Sequence, residues 1–183
     1  MTVTKTVWGY IENRDHRVMR RLNSWSAPRW IRFWMLAATR MGDGWLWYSL
    51  GAILLTVGGG RGYAAVGAAG SAAILGIFVF KVLKRISHRP RPCELHPHCW
   101  SRILPPDKFS FPSGHTMTAF SIALVVSYFY PTLQWPLYFL AVSIGLSRVV
   151  LGMHFLSDVL AGAILGTALG VAAIVTFASY GLA

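Results

Sequence analysis

The sequence predicts an all-α, polytopic transmembrane helical bundle of five or six spans with an N-terminal interfacial amphipathic helix. Three observations carry that expectation. Of 183 residues, 55% are hydrophobic and only 13% charged, and the mean hydropathy is +0.50, far from an ordinary soluble domain. The stretches 62–80 and 159–183 contain no charged residue, and 109–147 contains none apart from His115. A bilayer span needs about 20 apolar residues, so these stretches read as membrane helices. The length leaves room for one embedded unit and no second large domain.

At the start of the chain, no apolar core follows the first positive charge and no small-residue cleavage site is evident, so no cleaved signal peptide is expected. Trp8, Ile11, Val18, Met19, Leu22 and Trp25 recur at helical spacing opposite Arg14, Arg17, Arg20 and Arg21, the pattern of a helix lying in the headgroup region. Residues 28–42 are apolar-rich but interrupted by Arg32 and closed by Arg40. They form either a short sixth span or a second interfacial helix. Residues 1–43 therefore read as interfacial helices and 44–183 as a single membrane-embedded domain.

Spans are expected at 44–60, 62–83, 113–131, 133–150 and 155–178. The boundaries are Gly58-Gly59-Gly60, a basic loop, Pro131 with Pro136, and Gly152. The small residues of 161–173, AGAILGTALGVAA, suit close helix packing rather than binding. No internal repeat, low-complexity tract or heptad pattern is present.

The net charge of +11 is unevenly placed: of 17 Lys and Arg, seven fall in residues 1–32 and seven in 81–108. Basic side chains beside membrane helices suit anionic lipid headgroups. No nucleic-acid-binding motif is present, so nucleic acid is not an expected partner.

Antiparallel threading of the spans brings three polar clusters to one membrane face: KRISHRPRP (84–92), PSGH (112–115) and SRVVLGMHFLSD (147–158). In the first, Lys84 ends a helix. Pro90 and Pro92 stop its continuation, leaving Arg91 on a stiff turn where its planar fork can grip two phosphate oxygens. Alone, such a stretch is more often a topology signal. In the second, Ser113 is a good N-cap and Gly114 permits close backbone approach, so the exposed amides form an anion site with His115 beside it for proton exchange. A plain capped helix explains the stretch equally well when it is viewed alone. In the third, His154 and Asp158 are four apart on one helix face, so the carboxylate can accept from one imidazole nitrogen and leave the other for a substrate. A structural ion pair is the plainer alternative, although ionisable groups near spans are functional candidates by default.

Together these residues describe phosphoryl transfer through a histidine. His154 would attack phosphorus, and Lys84, Arg91, Arg148 and the 113–115 amides would stabilise oxygen charge. His115 would protonate the leaving oxygen and then activate water. No metal and no cofactor is expected, because one carboxylate is little with which to hold a magnesium or two-metal site.

Lys84 to Pro92 matches K-x6-R-P, Pro112 to His115 matches P-S-G-H, and Ser147 to Asp158 matches S-R-x5-H-x3-D. This ordered set resembles the signature of the type 2 phosphatidic acid phosphatase superfamily, which also includes vanadium haloperoxidases, and the resemblance spans about residues 44–175. It implies a helical bundle, usually of six membrane spans, and a metal-independent phosphatase. It also implies phosphate binding by Lys84, Arg91, Ser113, Gly114 and Arg148, acid/base work by His115, a His154 nucleophile and Asp158 as its partner. That His154 attacks, rather than His115, rests on the resemblance more than on chemistry. The N-terminus departs from the pattern, since interfacial helices stand where a full first span is usual.

Both cysteines, Cys93 and Cys99, lie in the basic loop as CELHPHC. A disulfide, a zinc site with His96 and His98, or two free thiols are the alternatives. A disulfide favours an extracytoplasmic active site, as does the usual arrangement of the family. The basic loop favours the cytoplasm by the positive-inside rule. The expectation is an integral membrane lipid phosphatase of a bacterial inner membrane, with its site on the extracytoplasmic face. It would act on a lipid phosphomonoester or the terminal phosphate of a lipid pyrophosphate: undecaprenyl pyrophosphate, phosphatidylglycerophosphate or phosphatidate, and less readily lipid A phosphate. The alternative is a membrane anion transporter or lipid-phosphate-binding protein using the same cations. The sequence leaves oligomeric state open.

Overall fold

The computed structural model describes residues 2–95 and 107–181, with side chains from residue 9 onward. Every regular element among them is helical: α1 (Thr2–Ser24), α2 (Arg29–Met41), α3 (Trp45–Val57), α4 (Gly59–Ser87), the short α5 (Pro92–Leu95), α6 (Gly114–Phe129), α7 (Gln134–Val150) and α8 (Leu156–Ser179). A 3-10 turn, Pro131–Leu133, joins α6 to α7. Segments Gly59–Leu95, Pro131–Val150 and Leu156–Ser179 are long and apolar enough to cross a membrane, and α3 and α6 are shorter apolar helices.

The centre of the bundle is α6, which is apolar on all sides as a fully surrounded helix must be. Its Ala119, Ala123 and Val125 are buried among residues of α3, α4 and α7. Against α8 it packs backbone to backbone. A Cβ on Gly162 would stand 2.6 Å from the Ser113 carbonyl oxygen, and one on Gly166 would collide with the Met117 carbonyl. The small-residue stretch thus serves close packing, as expected from composition.

Helix α4 outlasts its expected end at 83 by a full turn. Lys84 and Arg85 are poor in hydropathy but good helix formers, and the helix stops only where His88 turns left-handed (φ 48°) and its N–H caps the Lys84 carbonyl at 3.2 Å. This cap sets Lys84 in the last turn, with Arg89 and Arg91 just beyond it. Between α7 and α8, Gly152 takes φ +68°, a conformation that favours glycine, and the N–H groups of Met153 and His154 both donate to the Arg148 carbonyl at 3.0 Å. Arg148 and His154 are thereby locked to one turn.

Residues 28–42 form one helix, α2, whose Met35 packs with Leu151 and Met153. At 13 residues it is about 20 Å long. The apolar stripe of α1 is a packing face. Met19, with Val18 and Leu22, covers Val149, Phe155 and Val159 at the α7–α8 end.

Candidate active site

Lys84, Arg91, Gly114, His115, Arg148 and His154 line one cavity of about 290 Å³. The three polar clusters therefore meet, as antiparallel threading requires. Ser113 and Asp158 stand behind the wall, both fully buried. The Ser113 hydroxyl is hydrogen-bonded to the Thr116 hydroxyl at 2.9 Å instead of capping its helix. Its N–H donates to the Asp158 carbonyl at 3.1 Å, which fixes the start of α6 on the first turn of α8.

Arg91 is the most constrained cation. Its Nη1 donates to the Met153 carbonyl at 2.7 Å, Nε to the Asp107 carbonyl at 2.8 Å, and Nη2 to Asp107 Oδ1 at 2.6 Å. Nη1 also lies 3.4 Å from His154 Nε2. Because a guanidinium only donates, that contact gives Nε2 the lone pair and leaves the proton on Nδ1. Arg148 donates through Nη1 to Thr39 Oγ1 at 2.6 Å, while its buried Nε has no hydrogen-bond partner among the described residues.

His154 is 1% exposed. Burial, followed by the positive charges of Arg148, Arg91 and Lys84, holds its pKa well below the ordinary histidine value, so the ring is neutral at neutral pH. Asp158 Oδ2 approaches Nδ1 at 3.6 Å, too long for the expected hydrogen bond, and Nδ1 has no other partner among the described residues. The carboxylate is claimed by stronger donors: Oδ2 accepts the Phe155 N–H at 2.9 Å and Oδ1 accepts Arg89 Nη1 at 2.6 Å.

Two further carboxylates line the cavity. Asp107 bridges the phosphate-type cations, accepting from Lys84 Nζ at 2.7 Å as well as from Arg91. Burial alone would raise its pKa, but the hydrogen bonds from Lys84 and Arg91 hold it below the usual value. Asp43, in the α2–α3 turn, lies 2.9 Å from His115 Nε2. The expectation of a single carboxylate is therefore corrected. Both newcomers are engaged by basic groups, and no cluster of three or more His, Cys, Asp or Glu suited to a metal occurs among the described residues.

The family model for the PAP2 superfamily matches residues 65–180. The chain belongs to that superfamily. It is 39% identical over 97 residues to phosphatidylglycerophosphatase B of Bacillus subtilis, covering 47% of this chain and 45% of that protein. With the lipid A 1-phosphatase of Rhizobium johnstonii it shares 30% identity over 165 residues, 79% of this chain and 67% of the relative. Among solved structures, the transmembrane PAP2-type phosphatidylglycerolphosphate phosphatase of Bacillus subtilis superposes with a TM-score of 0.71 at 25% identity, covering 93% of this chain and 87% of the other. Of the curated relatives' own lengths, the chain spans between 28% and 67%. With these neighbours and its apolar helices, the PAP2 chain is an integral membrane protein.

Sequence reasoning missed Arg89, Asp15, Asp43 and Asp107. Asp15 had a visible signal: it sits between Ile11 and Met19 in the apolar stripe of α1, where a solvated carboxylate has no reason to be. His96, His98 and Cys99 lie outside the described residues, and with them the disulfide and zinc alternatives; Cys93 is partly buried in α5.

Proposed function

We propose that this protein is a metal-independent lipid phosphatase acting through a phosphohistidine. The observation that carries the reading is His154 Nε2, 3.4 Å from Arg91 Nη1, in a cavity also lined by Lys84, Arg148 and His115. Nε2 attacks phosphorus and the bond from phosphorus to the ester oxygen breaks. His115 supplies the proton that leaves with the lipid alcohol or lipid phosphate. Water then attacks the phosphohistidine, giving up its proton to His115, and the P–N bond breaks to release phosphate. Lys84, Arg91, Arg148 and the Gly114 amide meet the charge on the oxygens.

A lipid substrate is favoured by a second, apolar cavity of about 380 Å³ between α3, α4 and α6. Trp47 and Tyr48 line both cavities, so a hydrocarbon chain has a place beside the headgroup. Candidate substrates are undecaprenyl pyrophosphate, phosphatidylglycerophosphate and phosphatidate, with lipid A phosphate behind them. Purified protein is expected to release phosphate from at least one of these four in detergent, unaffected by EDTA. Strong EDTA inhibition would sink the metal-free mechanism, and binding without release would favour the transport alternative.

The matched relatives are bacterial, and we place this chain in a bacterial inner membrane with the site on the extracytoplasmic face. Both cysteines fall in sequence between Arg91 and Asp107, two residues that line the cavity. After mild reduction of intact cells, a membrane-impermeant maleimide is expected to label them. Labelling only after permeabilisation would put the site in the cytoplasm.

A further inference from the structure

Helix α1 carries a buried acidic residue that the mechanism above does not use. Asp15 is 3% exposed. Its Oδ1 accepts the Ser157 N–H at 3.1 Å, and its Oδ2 accepts the Ser157 hydroxyl and, at 2.7 Å, Arg89 Nη2. Ser157 lies in the first turn of α8, where backbone N–H groups lack helical partners, so a carboxylate from a distant helix caps the helix that bears Asp158. The Arg89 fork reaches two carboxylates at once, Asp15 through Nη2 and Asp158 through Nη1 at 2.6 Å. Its guanidinium also lies 4.3 Å from the centre of the Phe155 ring, and His16 meets the same ring edge-on at 5.3 Å. Phe155 is the residue next to His154, so the neighbour of the proposed nucleophile is held from two sides.

We infer that Asp15 and Arg89 are positioning residues for the proposed reaction, through which α1 sets the orientation of Asp158 and so supports the Nδ1-protonated tautomer of His154 that the Arg91 contact favours. The inference rests on the phosphatase reading for its kinetic consequences but not for its geometry. Phosphorylation of Nε2 makes the ring cationic while Nδ1 keeps its proton, and a charged Asp158 3.6 Å away is then best placed to accept from it. Asp158 is paired with Arg89, and Arg89 is held in place by Asp15. The charged groups around the pair are Asp15 and His16 from α1, Arg89 after α4, and, on the cavity side of His154, Lys84, Arg91, Arg148 and His115.

Without Arg89, Asp15 and Asp158 are left buried with no shared cation, which favours a proton on one of them. Asp158 regains its charge only at higher pH, so the acid limb of the rate profile moves up. The test compares Asp15→Asn, Arg89→Met, Arg89→Lys and the double variant Asp15→Asn/Arg89→Met with the unaltered protein in detergent. The single variants Asp15→Asn and Arg89→Met are expected to lose about 10- to 100-fold in kcat, the scale of supporting-group losses, with KM nearly unchanged because Lys84, Arg91 and Arg148 remain. Arg89→Met should also move the acid limb up by about one pH unit. The double variant should bring the limb back, since one carboxylate fewer needs no proton, and Arg89→Lys should recover part of the rate.

The second measurement is independent of turnover: nitrogen NMR of histidine-labelled protein, which reads the ring tautomer directly. Nδ1 of His154 is expected to carry the proton in the unaltered protein, with the tautomers mixed in Arg89→Met and less so in Arg89→Lys. Variants that fold with kcat, pH profile and tautomer all unchanged overturn the inference, as do losses that merely track the amount of folded protein. An unaltered protein that turns over no lipid phosphate, yet shows the tautomer shift, overturns the phosphatase reading and leaves the positioning role standing.

Discussion

His154→Ala is expected to reduce phosphate release to the assay floor, a loss on the order of 10⁴-fold or more, the scale on which removing a nucleophile acts. The residue is buried and neutral because Arg148, Arg91 and Lys84 add their charge to the effect of burial. It therefore needs no deprotonation before attack, and the acid limb that it contributes should lie below the ordinary histidine range. The sign follows from the lowered value: the neutral form persists as pH falls through about 6.5 and is lost only further down. Vanadate binding should survive in His154→Ala, since the cations remain. A variant that keeps its turnover would remove His154 from the chemistry altogether.

Arg91→Lys is expected to lower kcat by about 10²–10³-fold, comparable to the loss of one preorganised donor to a developing oxyanion. A single ammonium cannot reproduce the four contacts of Arg91, with the Met153 carbonyl, two oxygens of Asp107 and His154 Nε2. Asp107 is the natural control. Its carboxylate sits where Lys84 and Arg91 would hold phosphate oxygens, so an arriving phosphate has to share or displace it. Asp107→Asn should lower KM and tighten vanadate binding as it frees two cations. Equal losses in both variants would mean that Asp107 orients Arg91 and does not compete with the substrate.

The three clusters were legible because the groups within each lie a few residues apart, and helix geometry alone decides what they share. Charge-free stretches revealed the spans for the same local reason. Asp15 stood out by its place in an apolar stripe, but the partners of the supporting carboxylates were not legible, because they are far along the chain: Asp15 and Arg89 are 74 residues apart, and Asp43 and His115 are 72. Hydropathy also misplaced the end of α4, since it registers Lys84 to Ser87 as leaving the membrane although these residues continue the helix. The expected hydrogen bond from His154 to Asp158 required only the i,i+4 spacing. The contact is 3.6 Å long, with Oδ2 accepting the Phe155 N–H and Oδ1 accepting Arg89 Nη1, and no spacing rule connects Arg89 to Asp158.

The brevity of α2 and α3 bears on the surrounding lipid. Each has 13 residues, about 20 Å of helix, against a hydrocarbon layer of about 30 Å. Both flank the turn that brings Asp43 and Gly44 to the candidate cavity, to which α3 adds Trp47. A bilayer that met α3 along its length would have to thin there, which would draw the headgroup plane toward Lys84, Arg91 and Arg148. On the proposed function, a substrate lipid would then reach the cavity without being lifted out of its leaflet. Turnover in vesicles of short-chain host lipid should accordingly differ little from that in detergent, while thick, long-chain hosts should slow it.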